Sequence, residues 1–201
     1  MSPERLLDVL EQAGADAPVY AFEREEDDGW LLIKIVLSSR TKDEQTMRAL
    51  ECLKRIFKDW RRIRADERLE RCLYGVGFYR TKARVLPKLV DAIKKGVPYE
   101  REALMKLPGV GPKTSAVFLA ARGRAAIGVD THVHRIANRM GLVQTKTPSQ
   151  TEEALKQIFP RRLWHRVNRA FVGFGQTICK PVRPRCEECP LRAFCPAARP
   201  R

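Results

Sequence analysis

Several features are missing from this chain, and each absence excludes something. No apolar run approaches the roughly 20 residues that a membrane span needs; the longest candidate, Leu31 to Leu37, is broken by Lys34. The first eight residues, Met1-Ser-Pro-Glu-Arg-Leu-Leu-Asp8, are charged and amphipathic, where a secretory signal would be apolar. The expected setting is therefore intracellular, the cytoplasm or nucleoid in a prokaryote, with no membrane partner. Strand-like alternation and low-complexity linkers are both lacking. Asn occurs only twice, a composition that fits a heat-adapted source. Acidic residues are also scarce: 24 Asp and Glu face 39 Lys and Arg, for a net charge of +15 on 201 residues.

That charge is uneven. Residues 1–30 carry nine acids and two bases, a net of −7, which leaves +22 on the remainder. Residues 161–201 alone carry +8. A solvated basic surface is the plain interpretation, but an excess of this size favours a polyanionic partner, of which nucleic acid is the common kind. At 44% hydrophobic residues the chain has ample material for a core, as one large domain or two small ones.

Periodicity predicts helices throughout. Leu6, Leu7, Val9, Leu10 and Ala13 give residues 4–14 one apolar side. Residues 15–29 look like a loop that ends in the acidic run Glu23 to Asp28. Residues 30–37 are assigned to a buried helix, and a longer helix capped by Asp43 or Thr41 runs to about Trp60. Further helices fit 66–74, 78–93, 100–106, 112–121, 131–140, 149–159 and 161–175. The expected fold class is all-α, with helices joined by short loops. Cys52 and Cys72 fall on predicted helices among apolar residues and are expected to be buried thiols.

The segment Leu107-Pro-Gly-Val-Gly-Pro-Lys-Thr114 joins two of these helices by a tight turn. Its glycines let the backbone approach another molecule closely. Pro112 suits a first helical position, where its missing N–H costs nothing. Free amides and the helix dipole make that helix start an anion pocket suited to a phosphate. Lys113 lies in the first turn, where a protonated ammonium is disfavoured; a neutral amine is what nucleophilic chemistry needs. A solvated phosphate-binding lysine is the alternative. Seventeen residues later, Asp130 starts another helix, as an N-cap or as a carboxylate facing Lys113. His132 and His134 do not share a helical face, which argues against a metal pair.

Near the C-terminus, Cys179-x6-Cys186-x2-Cys189-x5-Cys195 packs four thiols into 17 residues. Without a secretory signal two disulfides are disfavoured, and the spacing leaves Zn²⁺ and a [4Fe–4S] cluster open.

Taken together, these residues resemble the endonuclease III family, the helix-hairpin-helix DNA glycosylases with an iron–sulfur loop. The match spans nearly the whole chain. It rests on Leu37-Ser-Ser-Arg-Thr-Lys-Asp43, Gly77-Phe-Tyr-Arg-Thr-Lys-Ala83, Leu107 to Thr114, Val129-Asp-Thr-His132 and the cysteine tail. The resemblance implies two helical domains with a cleft between them: a six-helix domain at 23–124 with the hairpin, and residues 1–22 with 125–201 around a [4Fe–4S] cluster held by Cys179, Cys186, Cys189 and Cys195. It implies a monomer that acts on double-stranded DNA containing a damaged pyrimidine or an abasic site. Lys113 would attack C1′ of a flipped-out nucleotide, the base would leave, and a Schiff base followed by β-elimination would cut the strand on the 3′ side. Asp130 would help activate the lysine and steady the cationic sugar. Arg40, Phe78, Leu107, Gly109, Val110, Gly111, Thr114, Lys180, Arg183 and Arg185 would contact DNA.

Lys113 also separates branches, because adenine-mismatch relatives usually have serine there and thymine-mismatch relatives tyrosine. Lysine implies a combined glycosylase and lyase. Two positions depart from the family pattern. Arg40 stands where glutamine usually fills the gap left by the flipped base, and Phe78 where leucine commonly wedges into the stack. The alternatives are a mismatch-directed or mainly AP-lyase paralogue, and a non-catalytic DNA-binding module.

Overall fold

A computed structural model describes residues 1–22 and 24–198, without the side chain of Phe22. Glu23, which opens the acidic run and the 23–124 domain, and the terminal residues 199–201 of the basic tail lie outside the described residues. The described residues are helical, with no strand among them. The chain forms two compact units, Met1–Arg24 with Leu119–Arg201, and Glu25–Phe118.

In the first unit, α1 (Pro3–Ala13) begins where the Ser2 side chain accepts from the Arg5 amide at 3.2 Å, with Pro3 in the first turn. The segment expected to be a loop instead contains a short helix, α2 (Pro18–Phe22). Five residues are too few to show a period, and tertiary packing decided the matter. α9 (Thr131–Arg139) and α10 (Pro148–Ile158) follow; a capping box formed by Thr147 and Gln150 starts α10. The last long helix does not begin at 161: a 3₁₀ turn at Arg161–Leu163 precedes α11 (Trp164–Thr177). α11 is the core element, with Val167, Ala170, Phe171 and Phe174 at most 1% exposed. They pack with Leu7 and Leu10 of α1 and Val133 and Ile136 of α9. Each fully buried leucine of this kind contributes about 2 kcal/mol.

The N-terminal acids are engaged by this unit's own bases. Arg166 on α11 pairs with Asp8 at 2.7 Å and Glu11 at 2.6 Å, Arg169 pairs with Glu11, and Arg162 pairs with Glu4. Hydrogen bonding to Glu11 and Asp8 pushes the Arg166 guanidinium above its usual range despite burial. Part of the basic excess at 161–201 is therefore neutralised within the unit.

The second unit holds α3 (Asp28–Ser38), α4 (Asp43–Phe57), α5 (Glu67–Leu73), α6 (Tyr79–Ile93), α7 (Arg101–Met105) and the start of α8 (Pro112–Ala121). α3 is buried along residues 29–37, Lys34 included, which explains an apolar run without helical periodicity. α4 stops at Phe57, and a separate 3₁₀ turn holds Trp60. Cys52 of α4 and Cys72 of α5 form a disulfide, with Cα atoms 5.4 Å apart, and are not the free thiols expected. Their pairing depends on how two helices cross, which spacing along the chain does not encode.

Candidate active site and iron–sulfur centre

The hairpin has the predicted form. α7 ends at Met105, the Val110 amide donates to the Leu107 carbonyl at 3.1 Å, and α8 opens at Pro112. Gly109 has φ +77, and a Cβ there would stand 2.6 Å from Cγ1 of Val85. Backbone conformation and packing thus both require glycine. Val110 plugs the turn into the core at 6% exposure, and Thr114 is also buried. Leu107 is half-buried, while Gly109 and Lys113 are exposed. Lys113 therefore presents its amine from the first turn of α8.

Asp130 precedes α9 as its N-cap. One carboxylate oxygen accepts from the amides of His132 at 2.8 Å and Val133 at 2.9 Å. Asn168 on α11, itself buried, donates to the Gly128 carbonyl at 2.6 Å and holds the segment that leads into Asp130. Sequence reasoning missed Asn168, because nothing local marks a long-range contact. His134 is tied to Thr151 at 2.7 Å in a polar network with Asn138 and Thr145. Lys113 and Asp130 stand on separate units.

Arg40 and Phe78 are brought together. Both have left-handed backbones, φ 52 and φ 58, which is costly for residues with a Cβ. The Arg40 guanidinium lies 5.2 Å from the centre of the Phe78 ring, within cation–π range. Phe78 is 60% exposed although apolar. Next to the Arg40 loop is Lys82, again missed beforehand although it lies within a quoted motif. Its ammonium donates to the carbonyls of Leu37 at 2.7 Å and Ser39 at 2.6 Å and to Oγ1 of Thr41 at 3.1 Å. Burial lowers Lys82 to about 8.

The four tail thiols line one cavity of about 160 Å³, together with Met140, Phe174, Ile178, Leu191, Arg139 and Arg185. Four cysteine sulfurs around one apolar cavity are a donor set that fits a [4Fe–4S] cluster. Arg139 braces the cysteine loop. It donates to the carbonyls of Lys180 at 2.8 Å and Pro181 at 2.9 Å, and it reaches the Cys179 sulfur at 3.8 Å. A guanidinium there offsets the negative charge of thiolate ligands. In the same loop Arg183 has φ 51 and is exposed, and Arg185 lies 3.7 Å from Glu188.

Known proteins share the sequence pattern and the fold of this chain. The pattern of the HhH-GPD superfamily, base excision DNA repair proteins, matches residues 33–161, and that of the iron–sulfur binding domain of endonuclease III matches 179–195. Endonuclease III of Thermotoga maritima is 42% identical over 179 residues, which cover 86% of this chain and 84% of that protein. An endonuclease III homologue of Encephalitozoon cuniculi is 38% identical, over 84% of this chain and 78% of that one. A trapped endonuclease III–DNA covalent intermediate superposes with a TM-score of 0.84 at 32% identity, over 97% of this chain and 94% of that one. No described helix is long and apolar enough to cross a membrane. The chain belongs to the HhH-GPD superfamily of base excision DNA repair proteins, in the endonuclease III branch that joins DNA glycosylase to AP lyase and carries a [4Fe–4S] cluster.

Proposed function

We propose that this chain acts intracellularly as a monomer on duplex DNA, removes oxidised pyrimidines, and then cuts the strand at the resulting abasic site. Lys113 is the nucleophile: its Nζ attacks C1′ as the base departs, and the resulting Schiff base permits β-elimination. Asp130 supplies negative charge toward the cationic sugar. The lysine belongs to the domain at 23–124, and the aspartate and the cluster, held by Cys179, Cys186, Cys189 and Cys195, belong to the domain of residues 1–22 with 125–201. The cluster has a structural role, ordering a loop that offers Lys180, Arg183 and Arg185 to phosphates. Leu107, Gly109, Val110, Gly111 and Thr114 form the phosphate-binding turn, while Arg40 and Phe78 enter the stack.

The observation that carries this reading is the exposed amine of Lys113, directly after a hairpin whose Gly109 and Val110 are fixed by packing. Borohydride trapping tests it. Wild type should become covalently linked to a thymine glycol duplex and to an abasic duplex, and Lys113→Ala should form neither adduct. Trapping by Lys113→Ala would remove the assigned nucleophile. Preference for mismatched pyrimidines in a lesion panel would favour the mismatch-directed reading instead.

A further inference from the structure

Arg40 and Phe78 come from two loops far apart in sequence, yet one buried group organises both. Residues 39–41 follow the C-terminus of α3, where the last carbonyls of a helix have no partner within it and carry partial negative charge. Lys82 lies in the first turn of α6, its amide bonded to the Phe78 carbonyl at 3.0 Å. Side chains in a helix lean toward its N-terminus, so the lysine stem runs back toward the start of α6. Its head then meets Leu37, Ser39 and Thr41. Thr41 Oγ1 also accepts from the Gly77 amide at 3.0 Å. Gly77 packs so closely that a Cβ would stand 2.0 Å from the Arg40 carbonyl oxygen. Two strained, exposed side chains thus share a single buried support of one ammonium, one hydroxyl and one close backbone contact.

We propose that Lys82 is a positioning residue for nucleotide extrusion, locking the Arg40 and Phe78 loops into one preassembled two-pronged wedge that opens the duplex without having to order itself first. This rests on the glycosylase reading above. Left-handed conformations at two non-glycine residues persist only where surroundings enforce them. Ordering done in advance need not be supplied by the DNA contact, so it is available to unstack bases. Lys82 touches neither the reacting sugar nor the base, and it acts only through the two prongs.

The test compares Lys82→Met and Lys82→Arg with wild type on two substrates. On a fully paired lesion duplex, Lys82→Met should slow single-turnover base removal about a hundredfold, the scale of a misplacement of about 1 Å. On a single strand that carries the same lesion, where no paired stack needs opening, the slowing of base removal should be at least about tenfold smaller. Lys82→Arg retains donors for the same acceptors and should recover most of the duplex rate. A 2-aminopurine reporter beside the lesion measures extrusion without turnover: its fluorescence rise should be lost in Lys82→Met and regained in Lys82→Arg. Equal slowing of Lys82→Met on both substrates, or an unchanged reporter signal, overturns the proposal. A wild type that extrudes the base but never releases it would strike the glycosylase reading alone, since the reporter comparison is independent of chemistry.

Discussion

Replacing Asp130 by Asn and by Ala separates its two roles, because structure and chemistry demand different things of the same carboxylate. As N-cap of α9, one oxygen satisfies two amides, at 2.8 and 2.9 Å. The amide oxygen of Asn can accept both bonds, so Asp130→Asn loses only the favourable charge at the helix start, about 0.5 kcal/mol. Asp130→Ala also orphans the two amides, which adds about 1 kcal/mol. For a chain of this size the melting temperature should then fall by about 1–2 °C for Asn and about 4–5 °C for Ala. Activity should follow the charge instead. Both variants lack the negative group proposed to steady the cationic sugar, and both should lose about 10²–10³ in single-turnover base release, the typical effect of one removed electrostatic group. Thermal unfolding and base release on one lesion duplex, with DNA binding measured in parallel, read the two quantities separately. Normal turnover by Asp130→Asn would reduce the residue to a cap. Equal melting temperatures for the two variants would refute the cap energetics.

Three other outcomes follow from particular contacts. The Cys52–Cys72 link spans a sequence separation of 20, so Cys52→Ser should cost about 3 kcal/mol of unfolding free energy; a melting point unaffected by this change or by reductant would refute the link. Lys82, near 8 in the folded chain and 10.5 when free, is protonated more readily in the unfolded chain between those values, so wild type should gain stability over Lys82→Met as pH rises from 7.5 to 10. The expected gain is about 2–3 kcal/mol, and a denaturant-measured gap that stays constant with pH would contradict it. Cys186→Ser should lose the blue-visible absorbance of the cluster along with bound iron and sulfide; a colourless wild type holding one zinc would overturn the cluster assignment.

Much of the fold was legible because its signals are local. Asp130 caps α9 through amides two and three residues on, and the apolar side of α1, Leu6, Leu7 and Leu10, depends only on the helical period. The hairpin and the four-cysteine loop were legible for the same reason, since a turn or a metal loop needs its residues at short, fixed spacings. α2 was not, because five residues carry no period.

The sequence by itself determined the helical class, the hairpin that presents Lys113, the cap at Asp130 and the cysteine set, since each is built within one turn or one loop. Only the tertiary structure decided that Cys52 bonds to Cys72, that Arg162, Arg166 and Arg169 engage the N-terminal acids, and that Lys82 joins the loops of Arg40 and Phe78. Those contacts join residues 20 to 158 positions apart. They depend on which helix faces meet, and the free energy that selects those faces comes from burial across the whole core, which no local stretch of sequence contains.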